Sequence, residues 1–147
     1  MKLEGTVTIA APRSKVWDFL TDAEAVSRCT PGLESLEVVD PGRKFRAVAS
    51  LGLGSVKTRF QVDVEWVEMA KPERARARAH GTAAGSTADV EAEMVLTDVD
   101  AASTELAWKA DVTILGTIAT LASRMMGGVT QKLSGQFFEC VRKNIEG

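Results

Sequence analysis

Hydrophobic and polar residues alternate along most of the chain between Leu36 and Ile114, and along the first residues from Lys2 to Ile9. Alternation with a period of two is typical of strands that bury one face. Short turns interrupt it at Pro41-Gly42, Gly54-Ser55, Lys71-Pro72, Ala83 to Gly85 and Asp98 to Ser103. Because strands joined by short turns pair antiparallel, the pattern predicts an antiparallel sheet of about seven strands, with one face solvated and one covered.

The last third of the chain has a helical period instead. From about Gly116 to Ile145, apolar residues recur at steps of three and four, at Ile118, Ala122, Met125, Val129, Leu133, Phe137, Val141 and Ile145. This spacing predicts one long amphipathic helix of about 45 Å. Gly127-Gly128 weakens it, so we expect a kink or a hinge at that point.

Two short helices are predicted between the first strand and the others. Pro12 suits the first turn of one, and Thr21 or Asp22 can cap the second, which runs to Arg28. The order is therefore strand, two short helices, six strands and a long helix. It predicts an α+β fold over residues 1–147, a single domain in which a curved sheet grips the C-terminal helix.

The residues predicted to face the helix are unusually small. They include Ala75, Ala77, Ala79 and Gly81, with Ser86, Ala88, Ala92, Ala47 and Ala49 on neighbouring strands. A sheet and a packed helix lie about 10 Å apart, a distance that larger side chains normally fill. Either the helix approaches the sheet closely, or a space remains between them. Strong curvature of the sheet favours the space.

We therefore predict an apolar cavity with a floor of alanines, aromatic residues at its margins and an adaptable wall of methionines. Such cavities hold small hydrophobic ligands in volumes of roughly 300–1,000 Å³. The residues predicted to line it are Trp17, Phe45, Leu51, Phe60, Ala77, Ala79, Ala88, Met94, Trp108, Ile118, Ala122, Met125, Met126 and Val129.

Composition excludes several other functions. The net charge is −2 with both signs interspersed, which argues against a nucleic-acid partner. The sequence has no apolar run of membrane-spanning length and no signal-peptide pattern at its start. With only two cysteines, Cys29 and Cys140, we expect no disulfide framework and a reducing cytoplasm, and we interpret both as packing residues.

No catalytic set and no metal site is predicted. His80 is the only histidine and is expected to face outward, and the chain has no tyrosine. The carboxylates fall almost wholly on outer rows, where Asp89, Glu91 and Glu93 are expected opposite Arg74, Arg76 and Arg78. We interpret this arginine row as a solvated ladder of ion pairs, with a docking patch for an anionic partner as the alternative. Nothing places an acid, a base and a nucleophile together in the predicted cavity.

Several segments of the chain resemble the CoxG family of carbon monoxide dehydrogenase accessory proteins, within the START-related helix-grip (SRPBCC) superfamily. They are Met1 to Gly5, Cys29 to Leu36, Ser55 to Phe60, Gly81 to Ala92, and Leu121 to Gly128 with Gln136-Phe137-Phe138. The resemblance implies a helix-grip, START-like fold. It also implies an accessory protein of aerobic carbon monoxide dehydrogenase, a molybdenum–copper enzyme, that helps to bring the enzyme to the inner face of the cell membrane.

With the predicted cavity, the resemblance suggests a cytoplasmic, non-enzymatic carrier. A menaquinone or ubiquinone would occupy the cavity, and no intrinsic metal or redox cofactor would be needed. Family members often continue into a membrane-binding tail, so peripheral membrane contact either uses such a segment beyond Gly147 or occurs otherwise. Two alternatives stay open. The first is a cyclase or hydrolase acting on a hydrophobic substrate in the same cavity, and the second is a membrane adaptor without a ligand.

Overall fold

The computed structural model describes residues 1–53 and 55–146, so Gly54 of the predicted Gly54-Ser55 turn lies outside the described residues. The elements are β1 (Lys2–Ile9), α1 (Arg13–Leu20), α2 (Ala23–Cys29), β2 (Leu33–Asp40), β3 (Lys44–Leu53), β4 (Val56–Ala70), β5 (Arg74–Ala83), β6 (Ser86–Asp100), β7 (Ser103–Gly116) and α3 (Ala119–Glu146). This is the predicted order, and the prediction of an α+β fold with a long C-terminal helix is confirmed.

The strands form one antiparallel sheet in the order β1-β7-β6-β5-β4-β3-β2. Each strand from β2 to β7 pairs with its sequence neighbour, as short turns require. Only the pairing of β1 with β7 joins distant parts of the chain. The edges of the sheet are therefore β1 and β2, and α3 lies across the concave face between them.

Local signals fix where the helices begin. Asp22 caps α2, because its carboxylate accepts hydrogen bonds from the backbone N–H groups of Glu24 and Ala25 at 3.1 and 3.3 Å. The long helix begins at Ala119, three residues later than predicted, because Gly116 turns the chain with a φ of 103°. It then continues through Gly127-Gly128 without interruption.

Two separate clusters of buried side chains attach α3 to the rest of the molecule. The first joins the last turns of α3 to α1, α2 and the sheet, through Ile9, Trp17, Leu106, Val141 and Ile145 among others. The second joins the first turns of α3 to the end of β3, through Leu53, Ala122 and Met126. The helix is thus packed firmly at both of its ends.

A disulfide between Cys29 and Cys140 reinforces the first cluster, so the expectation of two unpaired packing cysteines is wrong. The two residues are 111 positions apart, and their Cα atoms approach to 5.4 Å because α2 packs against α3. Nothing in the spacing of two cysteines reveals such a contact, since it depends on how distant helices meet.

Removing this bond should destabilise the protein. A cross-link that closes so long a loop limits the unfolded chain, and such bonds typically contribute about 2–4 kcal/mol. We expect the Cys29→Ser/Cys140→Ser double variant to lose about that much unfolding free energy in urea titrations. Wild-type protein in reducing buffer is the matched control, and its unfolding free energy should equal that of the variant. Equal stability of the variant and the oxidised wild type would contradict the cross-link.

Gly116 should be essential for the start of α3. A methyl group there would collide with the carbonyl oxygen of Gly85, and the φ of 103° is unfavourable for other residues. We expect Gly116→Ala to cost at least about 2 kcal/mol, measured by urea unfolding. Gly128→Ala is the control, because the site is open and helical, and it should stabilise the protein by about 0.5–1 kcal/mol.

Candidate ligand-binding site

The middle of the concave face carries several small side chains beside valines. The register pairs Ala77 with Ala92, and Gly81 with Ala88, so these residues share the face that α3 covers. Ala77, Ala79, Ala88 and Ala92 all keep part of their surface exposed, although they lie in central strands beneath a helix. These alanines are therefore not fully covered by their neighbours.

The two buried clusters lie toward the two ends of α3. Val129 packs against the second cluster and Phe137 against the first, whereas Leu133, halfway between them, is half-buried and belongs to neither. Because alanine side chains are short, we expect a space between them and the helix in this region. That this space is a ligand cavity stays a prediction.

The structure divides the fourteen predicted lining residues among these regions. Trp17, Met94 and Trp108 lie in or against the first cluster, and Leu51, Ile118, Ala122, Met125, Met126 and Val129 lie in or against the second. Phe45, Phe60, Ala77, Ala79 and Ala88 face inward from the middle strands. Trp17 and Ala122, at 3% and 0% exposure, have almost no surface left for a ligand. That these residues line a ligand site stays a prediction.

Trp108 is held by a glycine that the sequence pattern did not single out. Gly5 is its partner on β1, and a Cβ added at Gly5 would lie 2.8 Å from the indole Nε1. The indole therefore packs directly on the backbone of the edge strand. An inward position without a side chain, opposite a tryptophan, is the signal that could have revealed this contact.

A groove of about 980 Å³ opens between β1 and α3. One wall is the edge strand from Lys2 to Val7, and Trp108 also lines the groove. The helix contributes Gly127, Thr130, Gln131, Ser134, Gly135, Phe138, Glu139 and Arg142. A smaller opening of about 200 Å³ lies on the other side of the helix, where Leu51 and Gly52 of β3 approach Val129 and Leu133. The helix stripe of glycine and small polar residues was also missed, although its spacing of three and four residues is visible in the sequence.

The outer face of the sheet carries a ladder of ion pairs, with a register that differs from the expected one. Arg76 lies opposite Glu93, Arg78 opposite Glu91 and His80 opposite Asp89, whereas Arg74 lies opposite Val95. Arg74 instead bonds Glu68 of β4 at 2.6 Å. Such exposed pairs contribute little to stability, so the ladder mainly keeps this face solvated.

Two arginines of the ladder have raised pKa values. The hydrogen bond to Asp63 and then its charge raise the pKa of Arg46, and the hydrogen bond to Glu68 and then its charge raise that of Arg74. Both guanidinium groups therefore stay charged, and neither can act as a base.

Residues 1–53 and 55–146 contain no group of three His, Cys, Asp or Glu side chains that could hold a metal ion. Nor does any helix there combine the length and the apolar composition needed to cross a membrane.

Known structures share this architecture. A conserved protein from Geobacillus kaustophilus is 25% identical with a TM-score of 0.91, over 99% of this chain and 95% of that one. The ZhuI aromatase/cyclase from Streptomyces sp. R1128 is 20% identical with a TM-score of 0.76, over 99% and 93%. A START superfamily protein from Mycobacterium smegmatis is 14% identical with a TM-score of 0.75, over 99% and 97%. These matches confirm the START-like, helix-grip fold.

Family membership follows from the sequence itself. No curated protein matches the chain. The family model for CoxG, described as a subunit of carbon monoxide dehydrogenase, matches residues 5–146, which include the floor, both clusters and nearly all of the groove. The chain therefore belongs to the CoxG family.

Proposed function

We propose that this protein is a non-enzymatic carrier that binds a hydrophobic quinone, menaquinone-like, between its sheet and its long helix. It would shuttle the quinone between the membrane and carbon monoxide dehydrogenase and help to recruit that enzyme to the membrane. The family name supports the association with carbon monoxide dehydrogenase. The quinone, the shuttling and the membrane contact are the proposal.

One observation carries the quinone assignment. The alanine floor between the two packed clusters keeps accessible surface beneath a helix that is fixed at both ends. Apolar surface of this kind gains free energy when an apolar ligand removes it from water. A long flexible tail suits a region bounded by half-buried aliphatic and methionine side chains, because these can adjust to its shape.

The inner polar groups favour a carrier over an enzyme. Ser86 and Thr104 are the buried polar residues among those described, and both already have structural partners. Thr104 donates to the carbonyl oxygen of Ala11 at 2.8 Å, and the hydroxyl groups of Ser86 and Thr117 lie 3.1 Å apart. Neither is free to act as an acid or a base on a bound substrate. The protein would therefore hold the quinone and exclude water, while the enzyme supplies the electrons.

The first test is to identify what the protein retains. We expect mass spectrometry of an organic extract of purified protein to find a quinone in near-equimolar amount. A different hydrophobic compound that the protein converts would favour the cyclase or hydrolase alternative. Absence of any extractable ligand, together with no binding of added menaquinone-4, would leave only the adaptor.

Filling the floor should remove binding without unfolding the protein. We expect Ala79→Phe and Ala88→Phe each to reduce menaquinone-4 retention at least tenfold, because the ring would occupy the space above the strands. Ala84→Phe is the control, since this exposed turn residue of the same hairpin lies outside the floor. Retention is measured by extraction after detergent washing, and circular dichroism checks the fold. Unchanged retention in both floor variants would show that the ligand does not lie on the floor.

A further inference from the structure

The edge strand β1 leaves part of its backbone without partners. Met1 exchanges two hydrogen bonds with Val112 of β7, at 3.0 and 2.8 Å. Bonded pairs alternate along an antiparallel ladder, so Leu3, Gly5 and Val7 also bond to β7. The N–H and C=O groups of Glu4, Thr6 and Thr8 therefore point away from the sheet.

The long helix covers only one half of this edge. Arg142 donates from Nη2 and Nε to the carbonyl oxygen of Thr8, at 2.8 and 3.1 Å. Glu146 accepts from the backbone N–H of Ala10 at 2.9 Å. Within the described ranges, no residue bonds the outward backbone groups of Glu4 and Thr6. That uncovered half of the edge lines the groove of about 980 Å³.

The opposite wall of the groove is polar but has little bulk. Thr130 and Gln131 present a hydroxyl and an amide, and Gly127 and Gly135 add no side chain. Trp108 lines the groove and also packs against the first cluster. Its indole N–H and aromatic face suit a flat ring with hydrogen-bond acceptors.

The charges at the groove favour a neutral occupant. Lys2 and Arg142 are balanced by Glu4 and Glu139 along its walls. A charged head group would meet a repelling partner for each attracting one, whereas a neutral ring with carbonyl oxygens could use the hydrogen-bond donors of both walls.

We propose that the groove between β1 and α3 is the mouth of the ligand site and holds the polar ring of the ligand. The N–H groups of Glu4 and Thr6 and the hydroxyl of Thr130 would donate to its oxygen atoms, while the apolar tail extends over the alanine floor. This inference rests on the proposed function, since it assigns the two ends of the same ligand to two parts of the site.

A larger side chain on the helix wall of the groove tests this proposal directly. A Cβ at Gly135 or at Gly128 would meet no atom within 4 Å, so leucine fits at either site, but only Gly135 lines the groove. The probes are menadione, a naphthoquinone ring without a tail, and menaquinone-4, with affinity measured by quenching of tryptophan fluorescence. We expect Gly135→Leu to weaken binding of both at least tenfold, and Gly128→Leu to change it less than twofold.

The outcomes separate the two proposals. A wild-type protein that binds neither quinone overturns the proposed function. If the wild-type protein binds menaquinone-4 and Gly135→Leu binds it equally well, the groove is not the mouth of the site, while the proposed function stands.

A second variant examines the hydrogen bond rather than the space. Thr130→Val keeps the shape of the side chain and removes its hydroxyl, and Thr120→Val is an exposed control near the start of the helix. We expect Thr130→Val to weaken menadione binding about fivefold and the control to leave it unchanged. Equal affinities for Thr130→Val and wild type would remove Thr130 from the ring site.

Discussion

The attachment of α3 through a buried cluster near each of its ends is the constraint on which most of this structure depends. At one end Val141 of the helix packs with Trp17 and Leu106. At the other end Ala122 and Met126 of the helix pack on Leu53. Between these clusters the strands present alanine, glycine and valine. Had the floor carried leucine or isoleucine, the same curved sheet would have formed a filled core. The proposed ligand space therefore depends on the size of a few side chains.

The opposite face of the sheet follows a different rule. Charged residues of both signs alternate there, and their pairs give it a neutral, solvated surface with little contribution to stability. Selectivity for a ligand is therefore more readily built along the β1 edge, where, within the described residues, the outward backbone groups of Glu4 and Thr6 have no hydrogen-bond partner.

Much of this architecture could be predicted from the sequence, because alternation determines which residues share a face. It placed Ala77, Ala79 and Ala88 inward and His80 outward, and the helical spacing identified the element that covers them. The register was harder: turn geometry sets it, and Arg74 came to lie opposite Val95 instead of an acid. The Cys29–Cys140 bond could not be predicted, because it depends on the distance between elements that are remote in sequence, whereas the groove left a local signal in the small residues at Gly5 and Gly135.

The cross-link between α2 and the last turns of α3 has a mechanical consequence. Together with the hydrogen bonds from Arg142 to Thr8 and from Ala10 to Glu146, it anchors the C-terminal end of the helix. The first turns are held by noncovalent contacts, through the cluster around Met126 and the hydrogen bond from Thr117 to the carbonyl oxygen of Gly85. Any widening of the space beneath the helix would therefore pivot about Cys140, and its amplitude would grow toward Ala119.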